Sequence, residues 1–270
     1  MSPEKMSLRV RLLTVLTFVI LSIGALVMLA VAIPTLFLAR RFYSEVIGRT
    51  IGSAVLRAWS IRYTLHYVAP VPGRQTVFIS NHNSTIDVFT LIAMGLPRAR
   101  FFLSGFLRRQ VPPIGVIGTI IRIFWTVPQE FPEKRRRIFQ RAERILRASG
   151  DSVYLSPEGM RVVTGEIGKF NRGSFHLATA LSAPIVPVYF HIPPQINPGR
   201  GVNARPGNVN IYLLPPIETA SWRVEDVDLN KERVRDLFVR VHDSLRRTGQ
   251  LPADLAPVPI PIPIATAGAA

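Results

Sequence analysis

Apolar and polar positions follow three different rhythms along this chain. From Leu12 to Ala39 there are 28 residues without a charge. Over residues 42–68, Ile47, Ile51, Val55 and Trp59 recur at three- and four-residue spacing with arginines between them, which predicts an amphipathic helical segment. A break at "APVPG" (69–73) follows. Beyond it, short apolar runs at 76–80, 100–103, 120–127, 152–155, 185–190 and 209–213 predict strands. They alternate with helical patterns over 84–94, 133–148, 173–181 and 230–246, and Gly150 is placed to cap the second of these. Strands interleaved with helices predict an α/β fold, a mixed, largely parallel sheet flanked by helices. The last twenty residues, 251–270, repeat proline at every second position over part of their length and read as an extended or disordered tail. Three parts result: 1–68, a membrane anchor with an amphipathic segment; 69–250, the α/β domain; and 251–270, the tail.

The uncharged run exceeds the ~20 residues that cross a bilayer. It can span with tilt, or bend near Gly24 or Pro34 into a re-entrant hairpin. Ala30-Val31-Ala32 has the small-x-small pattern of a cleaved signal, but the run is long for one. A net charge of +16 with 48% hydrophobic residues separates this chain from soluble nucleic-acid binders and fits an anionic membrane as partner. Arg40, Arg41, Arg49, Arg57 and Arg62 outweigh Lys5, Arg9 and Arg11, so the main domain is expected on the cytoplasmic face. The basic helix 133–148 has a single apolar stripe, Ile138, Ala142, Ile145 and Leu146, and lacks the aromatic–basic interleaving of a nucleic-acid surface. Its basic face is a solvated surface or a contact for anionic lipid or an acidic protein. With no cysteine, thiol catalysis and disulfides are excluded.

Candidate chemistry begins at "SNHNSTIDVF" (80–89), where His82 and Asp87 stand one helical turn apart after a buried strand. Ser84 is positioned to cap the following helix, with Asp87 three positions later. The carboxylate can then fold back on the imidazole, fix one tautomer and leave the other nitrogen free to take a proton. A structural histidine with one satisfied partner is the competing reading. "LSPEGMR" sets Glu158, Gly159 and Arg161 after another strand: a tight turn, a close approach to backbone, and a planar donor fork for phosphate or carboxylate. In "GKFNRGSF", Lys169 and Arg172 precede a helix start at Gly173, a setting that suits an anion. Each of these two stretches also has a bland reading, a surface ion pair or a solvated basic loop.

In order, Asn81-His82-x-Ser84-x-x-Asp87, Pro157-Glu158-Gly159-x-Arg161, Lys169-x-x-Arg172-Gly173 and Pro184-x-x-Pro187-Val188 resemble the blocks of the glycerolipid acyltransferases, which include 1-acyl-glycerol-3-phosphate acyltransferase. The resemblance covers roughly residues 70–220. It implies a transferase in which His82 is the general base, Asp87 orients it, and the donor is acyl-CoA or acyl carrier protein. It also implies that Asn81, Ser84, Glu158, Gly159, Arg161, Lys169 and Arg172 line the substrate site, the Glu-Gly-x-Arg block at the acceptor phosphate. No cofactor is expected. There is no Gly-x-Ser-x-Gly elbow for an acyl-enzyme, and the five histidines are scattered in sequence without metal-ligand spacing, so no metal is expected. One block departs: Pro128 stands where the family carries an arginine, with Arg122 or residues Lys134 to Arg137 as substitutes. That departure bears on the acceptor, a lysophospholipid or another lyso-lipid such as a lyso-ornithine lipid. It also leaves room for a non-catalytic lipid binder, and hydrolysis remains open as a side reaction.

Overall fold

The computed structural model describes residues 7–197 and 203–255. Ser7 Oγ accepts from Val10 N and opens α1 (Leu8–Ala32), which continues straight through Gly24. The chain reverses just after Pro34, where Leu36 and Phe37 take left-handed φ values of 50° and 57°. It returns along α1 as α2 (Arg40–Phe42), a π-helical turn (Tyr43–Gly48) and α3 (Arg49–Ala58). The segment expected as an anchor is thus a helical hairpin bent just after the proline. Gly24 serves a different purpose: a Cβ there would lie 2.6 Å from Ile51 Cδ1, so glycine lets α3 approach. Trp59 Nε1 donates to Thr17 Oγ1 at 2.8 Å and ties the hairpin's far end. The outer face of α1, with Leu12, Phe18, Ile23 and Leu26, is left exposed.

Residues 61–67, expected as helix and assigned to the anchor part, instead form strand β1 (Ile61–Tyr67) of the sheet. "IRYTLHY" alternates apolar and polar side chains at every position, a period of two that a helical reading of the whole 42–68 stretch obscures. Ser60, at φ 56°, makes the break. The remaining strands are β2 (Val77–Ser80), β3 (Ala99–Ser104), β4 (Phe124–Thr126), β5 (Ser152–Leu155), β6 (Ile185–His191) and β7 (Gly207–Leu213). Their order is β1-β7-β6-β2-β5-β3-β4, parallel throughout except for the β6–β7 pair.

The helices are α4 (Asp87–Met94), α5 (Gly105–Gln110), α6 (Pro112–Ile120), α7 (Pro132–Ser149), α8 (Gly173–Leu181) and α9 (Val227–Thr248). The apolar run 120–127 divides between the end of α6, a turn at Arg122 (φ 62°), and a β4 of only three residues. Two cores result. One face of the sheet packs on α1, α3, α4 and α6, the other on α7, α8 and α9. Leu255 packs into the second core, and Leu251 lies against it. The rest of the expected tail, 256–270, lies outside the described residues.

One charged node ties the hairpin to the sheet. Asp151, just before β5, accepts from Arg100 Nε at 2.9 Å and pairs with Arg40 Nη2 at 2.8 Å, and all three residues are buried. Burial pushes the Asp151 carboxyl up, but the hydrogen bond from Arg100 and the charge of Arg40 outweigh it and hold the group below its ordinary value.

Candidate active site

Strand β2 is wholly buried and central, between β6 and β5. The chain leaves it through α4 on one face of the sheet, and leaves β5 through α8 on the other. Such a reversal opens a crevice at the carboxyl ends of the strands, where α/β folds hold ligands. Because Ile79 lies beside Leu155 in the ladder, the blocks following β2 and β5 emerge side by side.

His82 and Asp87 meet there. His82 Nδ1 lies 2.9 Å from Asp87 Oδ2. The same oxygen accepts from the backbone N–H groups of Asn83 and Ser84, each at 3.0 Å. Asp87 is 3% exposed, whereas the His82 side chain is 35% exposed. An ionised carboxylate accepts only, so this contact assigns the ring proton to Nδ1. Nε2 has no partner among the described residues and is left to solvent or substrate.

Glu158 is joined to this pair through the backbone. Its Oε2 accepts from His82 N at 2.6 Å and its Oε1 from Gly168 N at 2.8 Å, while Val162 N donates to His82 O at 2.7 Å. Buried almost completely, Glu158 braces the turn that carries His82 and does not present its carboxylate to a phosphate. Burial pushes its carboxyl up to about 7, against the pull of the Gly168 and His82 N–H donors. The folded chain therefore holds an extra proton between about 4.5 and about 7. The stability that this proton confers is complete below that window and lost as pH rises through about 7. Glu158→Gln stays neutral and is expected to flatten this decline in thermal midpoint, at a uniform cost because one of its acceptors becomes a donor. Melting curves in detergent across the window check this, and an unchanged slope would count against the buried carboxyl.

Other expected site residues are placed differently. Asn81 spends its side chain on Phe190, Nδ2 donating to the carbonyl at 3.0 Å and Oδ1 accepting from N at 2.8 Å; it locks β2 to β6 and does not face substrate. Ser84 is buried with Oγ accepting from Ile86 N, so it shapes the turn without capping α4. That helix starts later than expected, at Asp87 itself. Gly159 has φ 71°, and a Cβ there would lie 2.8 Å from Asn171 Nδ2 and 3.0 Å from Gln129 Nε2, so only glycine fits. Arg161 is half-buried and has no ion-pair partner among the described residues, and Lys169 is exposed. Arg172 engages its guanidinium with Asp228 of α9, Nε to Oδ1 at 2.7 Å. Arg122 stands just before β4 and so at the opposite end of the parallel strands from His82, which follows β2, with Nη2 donating to Phe37 O.

Three further residues complete the frame: Asn171 and Arg235, which sequence reasoning missed, and Arg135, which lies within the 134–137 stretch named as a substitute for the arginine at Pro128. Asn171 Nδ2 donates to the Pro157 and Glu158 carbonyls. Arg235 of α9 donates to the Gly168 and Ile167 carbonyls and so holds the loop that supplies the Gly168 N–H. Arg135 Nη1 donates to Val127 O at 3.0 Å, which brings a guanidinium back to the segment containing Pro128. No local pattern marks these roles, because each partner is distant in sequence or a plain carbonyl. Folding also gathers ligand atoms of Glu166, His242 and Asp243 within 4.8 Å, although Glu166 is already paired with Arg246 at 2.9 Å.

This chain resembles known proteins in sequence and in fold. The sequence model of the Acyltransferase family matches residues 62–191, from the start of β1 to the end of β6. The chain is 27% identical to the 1-acyl-sn-glycerol-3-phosphate acyltransferase of Limnanthes alba, over 72% of this chain and 68% of that protein. It is 24% identical to human 1-acyl-sn-glycerol-3-phosphate acyltransferase beta, over 75% and 77%. Its fold is similar to the crystal structure of the 1-acyl-sn-glycerophosphate acyltransferase PlsC from Thermotoga maritima, with a TM-score of 0.62, 17% identity, and coverage of 85% of this chain and 96% of that one.

Proposed function

The Acyltransferase family model matches this chain over residues 62–191, and from that premise we propose that the protein is an acyltransferase that moves a fatty acyl group from acyl-CoA or acyl carrier protein to the free hydroxyl of 1-acylglycerol-3-phosphate, giving phosphatidic acid. The observation that carries this reading is the His82–Asp87 contact with Nε2 turned outward. His82 Nε2 takes the acceptor's hydroxyl proton as the oxygen attacks the thioester carbonyl. The tetrahedral intermediate then expels the thiolate, which takes the proton from the imidazolium. Asp87 holds the tautomer and stabilises the cation meanwhile. Donor, acceptor and imidazole balance the reaction without a cofactor or a covalent enzyme intermediate.

Arg161, next to the Glu158–Gly159 turn, meets the acceptor phosphate with Lys169, and Arg135 supplies the guanidinium that Pro128 lacks. The apolar hairpin holds the enzyme on the membrane, with the catalytic domain on the cytoplasmic face where the arginines following α1 lie. Incubating the purified protein with labelled acyl-CoA or acyl carrier protein and a panel of lyso-lipids, lyso-ornithine lipid included, tests the reading. Phosphatidic acid is the expected product. Transfer only to another head group would move the acceptor assignment, and no transfer to any would end the proposal. Arg161→Ala is expected to raise the acceptor KM by about tenfold to a hundredfold, the loss of one charge-assisted hydrogen bond. Unchanged acceptor kinetics would remove Arg161 from the site.

A further inference from the structure

The node around Asp151 opens into a cleft at the amino ends of the parallel strands, the end opposite His82. The cleft measures about 460 Å³, and its lining includes Leu38, Arg40, Arg41, Phe42, Arg122 and Asp151. Its charges do not balance. Arg40 and Arg100 share the Asp151 carboxylate, and Arg41, 3.6 Å from the same carboxylate, has a side chain still 53% exposed. Arg122 contacts only a carbonyl, at 3.5 Å. Three guanidinium groups therefore meet one carboxylate, and Arg122 adds a fourth cation to the lining; Glu45, also close, is engaged by the Arg98 backbone N–H. Directly beside them the hairpin turn bares large apolar side chains, Leu36 at 74% and Leu38 at 78% exposed, with Phe37 and Phe42 also exposed. A cationic cleft and an apolar wedge at adjacent heights match the two zones of one ligand class, a phosphate carried on acyl chains.

We propose that this cleft is a second, non-catalytic site for the phosphate of an anionic glycerophospholipid, held by Arg41 and Arg122 with its acyl chains along Leu36, Leu38 and Phe42. Arg40 and Arg100, already committed to Asp151, form the floor. The cleft is separate from the acceptor site, since Asp151 precedes β5 whereas Glu158 follows it. Of the function proposed above it uses only membrane association, not catalysis.

Native mass spectrometry of the full chain, released from detergent with mixed phosphatidylcholine and phosphatidylglycerol, tests it. Phosphatidylglycerol is chosen because it is neither acceptor nor product of the proposed reaction. One retained phosphatidylglycerol is expected. Its affinity should fall about 25-fold in Arg41→Gln/Arg122→Gln, since each arginine at an anionic surface contributes roughly fivefold. Arg141→Gln/Arg144→Gln, on the exposed face of α7, should leave it unchanged, and His82→Ala should retain the lipid whatever becomes of turnover. Equal retention of phosphatidylcholine would overturn the proposal, as would the same loss in the α7 pair. Full displacement by millimolar inorganic phosphate would mean that the cleft takes the free ion, and would overturn the lipid assignment.

Discussion

Replacing His82 with alanine is expected to lower the rate of acyl transfer by about 10²–10⁴-fold while the protein stays folded and in the membrane fraction. The size follows from the loss of a positioned base with no neighbour to take over, because Nε2 has no other titratable partner among the described residues. The fold should survive, since the ring is one-third exposed and Asp87 Oδ2 keeps the Asn83 and Ser84 N–H groups. Asp87→Asn is expected to cost somewhat less, and Asp87→Asn added to His82→Ala should cost little more, as groups that act as a unit do. Initial rates, read beside thermal midpoints, check the series. Near-normal turnover in His82→Ala would make this histidine structural and leave the reaction without a base.

The largest expected loss of stability comes from Asp151→Ala. It strands the buried Arg40 and Arg100, and breaking a buried ion pair from one side costs about 3–5 kcal/mol. For a chain of this size that is a fall of roughly 10 °C in thermal midpoint. The direction of the Asp151 shift agrees, since its carboxylate is favoured despite burial. Removing all three charges together, as Arg40→Met, Arg100→Met and Asp151→Leu, is expected to restore most of the loss, because no unpaired buried charge remains. A single variant that melts with the parent would show the node to be dispensable.

Apart from α5 and α6, which were not anticipated between the 100–103 and 120–127 runs, the order of strands and helices after residue 76 was legible because buried strands and amphipathic helices have different periods and glycine or proline marks their ends. The pairing of His82 with Asp87 was legible too, because both residues lie within one turn of chain. Contacts between distant segments were harder. Glu158 reads as a phosphate ligand until Gly168 and His82 are seen to occupy both its oxygens. Arg172 and Arg122 are basic residues in plausible places, yet Asp228 pairs with the first and the second stands at the opposite end of the parallel strands. Strand β1 was lost for a different reason: seven alternating residues follow a longer helical pattern and merge with it by eye.

That strand also constrains how the protein is made. β1 lies beside α3, yet among the described residues its only sheet partner is β7, from Gly207 onward. At ribosomal speeds of about 5–20 residues per second, roughly 7–30 s separate the two in synthesis. On the membrane anchoring proposed above, the hairpin is available to the translocation machinery or the lipid while β1 is still an open edge. Truncated nascent chains ending before residue 207 should insert normally but remain protease-sensitive around β1. Docking on the bilayer would then come first, and closing of the sheet last.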